Sequence, residues 1–145
     1  MSHSIHSSAL RERLVRQLIV LGEEKQSFLD AYFPMHGKER IQTHRFITQY
    51  VSFTEDRLSA SNEELEASVF VGCEVTIDYL EYRTTDTFEI VFPHEAEPDR
   101  NRISFLSPVG MQLLMGHRDE VIPVAIPSGE MRVRISRIGY PNEES

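Results

Sequence analysis

The sequence predicts an α+β chain: an antiparallel helical hairpin (a coiled coil) over residues 1–66, then an antiparallel β-sheet domain with one short helix over 67–145. Three observations predict it. Apolar residues recur at helical spacing through the first part of the chain, and the period switches to alternation at Ala67. The second half also carries a serine–proline helix opener and a Pro-Ser-Gly-Glu turn between strand-like runs. Helices gathered at one end and strands at the other are the pattern of an α+β fold.

The first helix is expected over 8–33. Leu14, Leu18, Leu21, Phe28 and Tyr32 step by four and three, with Lys25 where another apolar residue is due. That is a heptad seam with one polar break. Ser7 or Ser8 suits the N-cap, and Gly22 is a weak point inside the pattern. Pro34-Met35-His36-Gly37 ends the helix, because proline cannot continue it and glycine permits a reversal. A second helix is expected over 39–59, with Ile47, Tyr50, Val51, Thr54 and Leu58 on one face, widened by Phe46 and Phe53. Two helices of similar length joined by a few residues run antiparallel, which places the hairpin tip near 30–40. Ser59-Ala60-Ser61-Asn62 reads as a connector.

From Ala67, alternation puts Val69, Val71, Cys73, Val75, Ile77 and Tyr79 on one face of a strand, with Glu74 and Asp78 on the other. Thr85–Phe92 repeats the pattern through Phe88, Ile90 and Phe92. A charged loop follows to Arg100, then a short strand at Ile103 and Phe105. Ser107 caps and Pro108 opens a short helix over 109–115 that Gly116 ends. Strands over 121–126 and 131–138 close the domain through Pro127-Ser128-Gly129-Glu130. The polar tail 141–145 is expected to be loose.

Composition narrows the functions available. The formal net charge is -8, with 15 basic and 23 acidic side chains. The excess of acid is concentrated in the second half, where residues 67–145 carry 7 basic and 13 acidic groups. Such a surface repels phosphate backbone, so specific nucleic-acid binding is disfavoured and a basic protein partner is favoured. The single cysteine, Cys73, excludes an intramolecular disulfide and reads as a small core residue. No apolar run approaches the roughly 20 residues of a membrane span, and the N-terminus lacks the pattern of a secretory signal. The expected location is cytoplasmic.

The run Ile103-Ser104-Phe105-Leu106-Ser107-Pro108-Val109-Gly110 to Leu113-Leu114 is followed by Asp119-Glu120-Val121, Ile126-Pro127-Ser128-Gly129-Glu130, Val133-Arg134-Ile135 and Ile138-Gly139-Tyr140. In that order and spacing it resembles the C-terminal domain of the bacterial Gre transcription elongation factors (GreA/GreB type). Phe70-Val71-Gly72-Cys73-Glu74-Val75 matches the family's Gly-x-x-Val opening strand. The resemblance covers roughly 70–140, and the hairpin matches in architecture only. It implies an FKBP-like fold without isomerase activity and docking at the rim of the RNA polymerase secondary channel. It further implies that Leu106, Ser107 and Pro108 form the partner-binding loop. Leu106 stands where the family usually has an acidic or amide residue.

Cleavage-competent Gre factors carry an Asp and a Glu three residues apart at the hairpin tip, where they help hold a magnesium ion and its attacking water. Here Asp30 is present but Phe33 occupies the second position. The hairpin is also shorter than the family's, by about two helical turns at roughly 5.4 Å each. The resemblance therefore implies a divergent member that lacks the acidic pair and does not stimulate cleavage. Asp30 reads first as a solvated carboxylate near a helix end and second as a metal ligand. The tip aromatics Phe28, Tyr32 and Phe33 either zip the tip together or form an apolar contact for a partner.

Six histidines (His3, His6, His36, His44, His94 and His117) lack the tight spacing of a zinc motif, and no phosphate loop or nucleophile motif is present. No metal, no cofactor and no enzymatic activity are expected. Arg132, Arg134 and Arg137 read as the solvated face of the last strand and, secondarily, as a contact for an acidic surface. Two alternatives stand beside the regulator: an FKBP-like prolyl isomerase, which would need an aromatic-lined pocket from a chain without tryptophan, and a homodimeric scaffold.

Overall fold

The computed structural model describes residues 7–126 and 129–141. These fall into two compact units, divided in the sequence between Leu65 and Glu66.

The first unit is a helical hairpin. Helices α1 (Ser7–Leu18) and α2 (Lys25–Tyr32) form its first arm, and α3 (Lys38–Arg57) its second. A short α4 (Asn62–Glu66) follows. Side-chain bonds between the arms fix the antiparallel direction. Arg11 donates to the Leu58 and Ala60 carbonyls, Tyr50 to Gln17, Lys25 to Thr48, and Arg40 to Gln26. The partners close on each other toward the tip, as two antiparallel arms require.

The first arm is not the single helix expected over 8–33. A π-helical turn over Ile19–Glu23 separates α1 from α2. An extra residue in one turn rotates the seam, and this corrects its membership. Leu10, Leu14, Leu21, Phe28 and Leu29 are buried, whereas Leu18 is only half-buried and Tyr32 is exposed. Gln17 takes the inward place beside Leu14, and its Oε1 accepts the Tyr50 hydroxyl at 2.7 Å in the core. That bond satisfies two polar groups that would otherwise be costly to bury. On α3, Ile47, Tyr50 and Thr54 are buried as expected, with Thr43 added one turn earlier.

The second unit is a five-stranded sheet in the order β3-β2-β1-β5-β4. Its strands are β1 (Glu74–Tyr79), β2 (Thr84–Val91), β3 (Arg102–Ser104), β4 (Val121–Ile126) and β5 (Gly129–Gly139), with α5 (Pro108–Leu113) packed on β3 and β4. The α+β class holds. One pairing departs from the expected antiparallel sheet: β3 runs parallel to β2, matching Ile90 with Ile103. The chain between them passes through two 3₁₀ turns at Pro93–Glu95 and Pro98–Arg100, a long enough crossover to bring β3 back in the same direction. Arg102 then fastens β3, bonding Glu89 on the neighbouring strand and Glu97 in the crossover.

The first strand is shorter than its alternation suggests. Val69, Phe70 and Val71 are all buried in succession, and Gly72 turns the chain at φ 101°, so β1 begins at Glu74. Residues 67–69 pair instead with 115–118, through Val69 N–H to Gly116 O, Met115 N–H to Val69 O and Arg118 N–H to Ala67 O. Tyr140 closes this region: its hydroxyl donates to Ser68 O and accepts Phe70 N–H.

A bulge opposite Thr76 and Ile77 leaves Ser136 as the extra residue of β5, with its hydroxyl donating to Thr76 O and Asp78. The bulge resets the alternation. Val133, Ile135 and Ile138 stay on the covered side, and Arg132, Arg134 and Arg137 share the exposed one. The ladder of β4 with β5 extends to Ile126 opposite Gly129, so β5 begins at Gly129 rather than at 131. Pro127, Ser128 and the tail 142–145 lie outside the described residues, as do His3 and His6.

Candidate functional site

The turn that leaves β3 and opens α5 is cross-bonded by two serine hydroxyls. Ser107 is the N-cap of α5, with extended backbone at φ -70° and ψ 158°. Its Oγ accepts Gly110 N–H at 3.1 Å and donates to Ser104 O at 2.7 Å. Ser104 in turn accepts Leu106 N–H on its own hydroxyl at 3.0 Å. Behind the turn, Phe105 is fully buried and meets the Phe92 ring edge-on, with centroids 5.5 Å apart. Gly110 makes the close packing possible: a Cβ there would lie 2.2 Å from Ser104 O.

The three expected partner-binding residues therefore come together with different exposures. Pro108 is exposed, while Leu106 and Ser107 are half-buried. The Ser107 hydroxyl is committed to the turn's own bonds, so its first task is to shape the loop that presents Pro108 and Leu106. The helix ends earlier than expected, at Leu113, and the left-handed residue after it is Met115 at φ 70°. Gly116 serves a different need. A Cβ there would stand 2.6 Å from Ile135 Cδ1, so it is close approach rather than dihedral freedom that requires glycine.

Arg40 makes the cross-arm bonds of the hairpin tip. Arg40 donates to the Phe33 carbonyl at 2.7 Å and to Gln26 at 3.1 Å, and lies 2.9 Å from Asp30 Oδ1. Its side chain is 12% exposed and that of Asp30 69%, so Arg40 is embedded in the tip while Asp30 reaches it from solvent. Phe28 is buried against Tyr32, with ring centroids 4.9 Å apart. Tyr32 stays exposed and Phe33 half-buried, so of the three tip aromatics only Phe28 is buried. Met35 and Ile41 add exposed apolar surface. Gly37 caps α3 at φ 162°, an extended conformation open to any residue; the reversal does not depend on its being glycine.

Among the described residues, no group of three or more His, Cys, Asp or Glu side chains could hold a metal ion. Burial pushes the Cys73 thiol well above its ordinary range, which keeps it protonated and poorly nucleophilic. Among the described residues, no helix is long and apolar enough to cross a membrane.

Sequence reasoning missed the roles of Ser104, Arg40 and Gln112. The serine pair Ser104 and Ser107 flanking a buried phenylalanine was the available signal for the first. Arg40 could be read only as a neighbour of Glu39, because its partners lie across the turn.

A helical hairpin followed in the chain by a mixed sheet is a fold this chain shares with a solved prokaryotic transcription elongation factor. The structure of transcription elongation factor GreA/GreB from Nitrosomonas europaea aligns with a TM-score of 0.55 at 21% identity, covering 81% of this chain and 93% of that one. The family model for the C-terminal region of GreA/GreB transcription elongation factors matches residues 64–140, more than half of the chain, and the chain belongs to that family. Transcription elongation factor GreA 1 of Lactiplantibacillus plantarum is 29% identical over 91 residues, 63% of this chain and 56% of its own length. GreA of Thermomicrobium roseum is 42% identical over 71 residues, 48% of this chain and 44% of its own length. The chain thus spans about half the length of the curated relatives it matches.

Proposed function

We propose that this chain is a transcription regulator that binds RNA polymerase at the rim of the secondary channel through its sheet domain, and that it does not stimulate transcript cleavage. The observation that carries the reading is the serine–proline turn. It lies inside the family match over 64–140, and it is held by Ser104, Ser107 and Gly110 in a shape that presents Pro108. On this reading residues 67–145 dock, residues 1–66 form the hairpin arm, and the site of action is the cytoplasm. The chain acts on the polymerase without being an enzyme itself and needs no cofactor. Two features of the tip support the absence of cleavage stimulation: Asp30 is engaged by Arg40, and Phe33 replaces the second carboxylate that would orient a metal-bound water. The acidic balance of the sheet half supports a protein rather than a nucleic-acid partner.

The test is retention of core RNA polymerase by the immobilised chain, with Leu106→Ala/Pro108→Ala as the control variant. Both substitutions spare the Ser107 cap. Retention by wild type and its loss in the variant are the expected results, with no added transcript cleavage in halted complexes. Failure of wild type to retain polymerase would sink the docking reading. Cleavage that Asp30→Asn abolishes would sink the non-cleaving one.

A further inference from the structure

The structure assigns Gln112 as the positioning residue of the serine–proline turn: its side chain clamps α5 to the free edge of β4. The assignment rests on the docking reading for its effect on polymerase binding, and on geometry alone for the clamp.

A carboxamide offers two donors and an acceptor with two lone pairs. Gln112 uses them on two segments that are not neighbours in sequence. Its Oε1 accepts Ala125 N–H at 2.7 Å, and its Nε2 donates to Ala125 O at 3.1 Å. The same Nε2 donates to Pro108 O at 2.9 Å. The amide thus pairs with Ala125 as another strand would, on the side of β4 that faces away from β5. Pro123 has the same phase as Ala125, two residues away, so its missing N–H falls on that outer side and costs the ladder nothing.

The clamp answers a mechanical need. Helix α5 has six residues, too few to be stable by its own hydrogen bonds. Its front is fixed by the Ser104, Ser107 and Gly110 network. Gln112 fixes its back, tying the carbonyl of the exposed Pro108 to the sheet. A turn held at both ends meets a partner pre-ordered, so less conformational freedom is lost on binding.

The experiment uses the full chain with Gln112→Leu and Gln112→Glu, reading amide hydrogen exchange and affinity for core RNA polymerase in parallel. Leucine keeps size and helix propensity but bonds nothing. Glutamate can still accept Ala125 N–H but cannot donate to Pro108 O or Ala125 O. Gln112→Leu is expected to speed exchange at Ala125, Gly110 and Met111 and to weaken polymerase binding, each by about tenfold, the scale of one net hydrogen bond. Gln112→Glu is expected to retain protection at Ala125 while binding polymerase as weakly as the leucine variant. Unchanged exchange in Gln112→Leu overturns the clamp. Faster exchange with wild-type affinity overturns the positioning role. If wild type itself does not bind polymerase, the docking reading fails separately, and exchange at Ala125 and Gly110 alone decides the clamp.

Discussion

The hairpin tip and the serine–proline turn are both short, exposed reversals, and they are held in opposite ways. At the tip, Arg40 alone among the described side-chain bonds ties the arms, reaching Phe33 O, Gln26 and Asp30 beside the packed Phe28 and Tyr32 rings, and nothing lies within 4 Å of a Cβ placed on Gly37. The turn is secured several times over, by a shared serine hydroxyl, a second serine, an amide clamp and a glycine packed against backbone. A segment fixed redundantly keeps its shape when it is touched, and a segment whose cross-arm bonds centre on one guanidinium can adapt more readily. On the proposed docking reading, this difference would give specificity to the turn and tolerance to the tip.

The strongest way to break that comparison is a pair of glycine substitutions. In Gly110→Ala the new methyl meets Ser104 O at 2.2 Å and Ser107 Oγ at 2.9 Å, and the first of these is backbone that cannot swing away. Overpacking of this kind costs about 3 kcal/mol. Urea denaturation of the full chain should show that loss. Gly37→Ser meets open space and extended backbone, and gains a hydroxyl at an N-cap that lacks a side-chain bond. It should be neutral or stabilising by about 0.5 kcal/mol. Equal losses at both glycines would erase the distinction between the two reversals.

A smaller effect sharpens the other side. Arg40→Ala removes the guanidinium that ties the tip together and leaves the Phe33 carbonyl at the end of α2 without that donor. The expected loss is about 1 kcal/mol, typical of hydrogen bonds to a charged group that is partly exposed. Amide exchange should rise around residues 30–40 and stay unchanged around 104–112. Asp30→Asn, which alters only the exposed member of the pair, should move exchange less than Arg40→Ala does. A tip that keeps its protection without Arg40 would mean that Phe28 and Tyr32 hold it instead.

Most of this architecture was legible in the sequence because its signals are local. Helical spacing in the hairpin, the Ser107–Pro108 helix opener and the alternation around Val75 and Ile77 are each written within a few residues. What was not legible depends on residues far apart in the chain. The π turn at Ile19–Glu23 carries no local signal apart from Gly22, and the Gln17–Tyr50 bond that follows the altered seam joins residues on opposite arms. The parallel pairing of β3 depends on where a crossover delivers it. The spacing of Arg132, Arg134 and Arg137 looks irregular until the Ser136 bulge puts all three on one face. For the candidate site, Ser107 and Pro108 carried a local cap signature, whereas Gln112 shows its role only once Ala125 is beside it.

The smallest expected effect lies at the other end of β2 from the serine–proline turn, where Tyr79 pairs with Thr84. The Tyr79 hydroxyl donates to Asp86 at 2.8 Å. Burial first, and then that carboxylate, push its pKa up from 10.0 to about 12. A value raised in the folded state favours the protonated phenol there. Its contribution to stability is therefore complete below about pH 10 and is lost as pH climbs toward about 12. The side chain is only half-buried, so solvent screens the interaction and the loss is modest. Urea midpoints followed from about pH 8 to about pH 11 should fall more steeply for wild type than for Tyr79→Phe, because the variant has no phenol to ionise. The turn at 104–112 contains no titrating group in its bonding network, so its amide protection relative to global unfolding should not follow that decline. If alkaline pH loosened the turn as much as the Tyr79 end, the two ends of β2 would be one cooperative unit, and the turn's rigidity would belong to the whole sheet rather than to its own bonds.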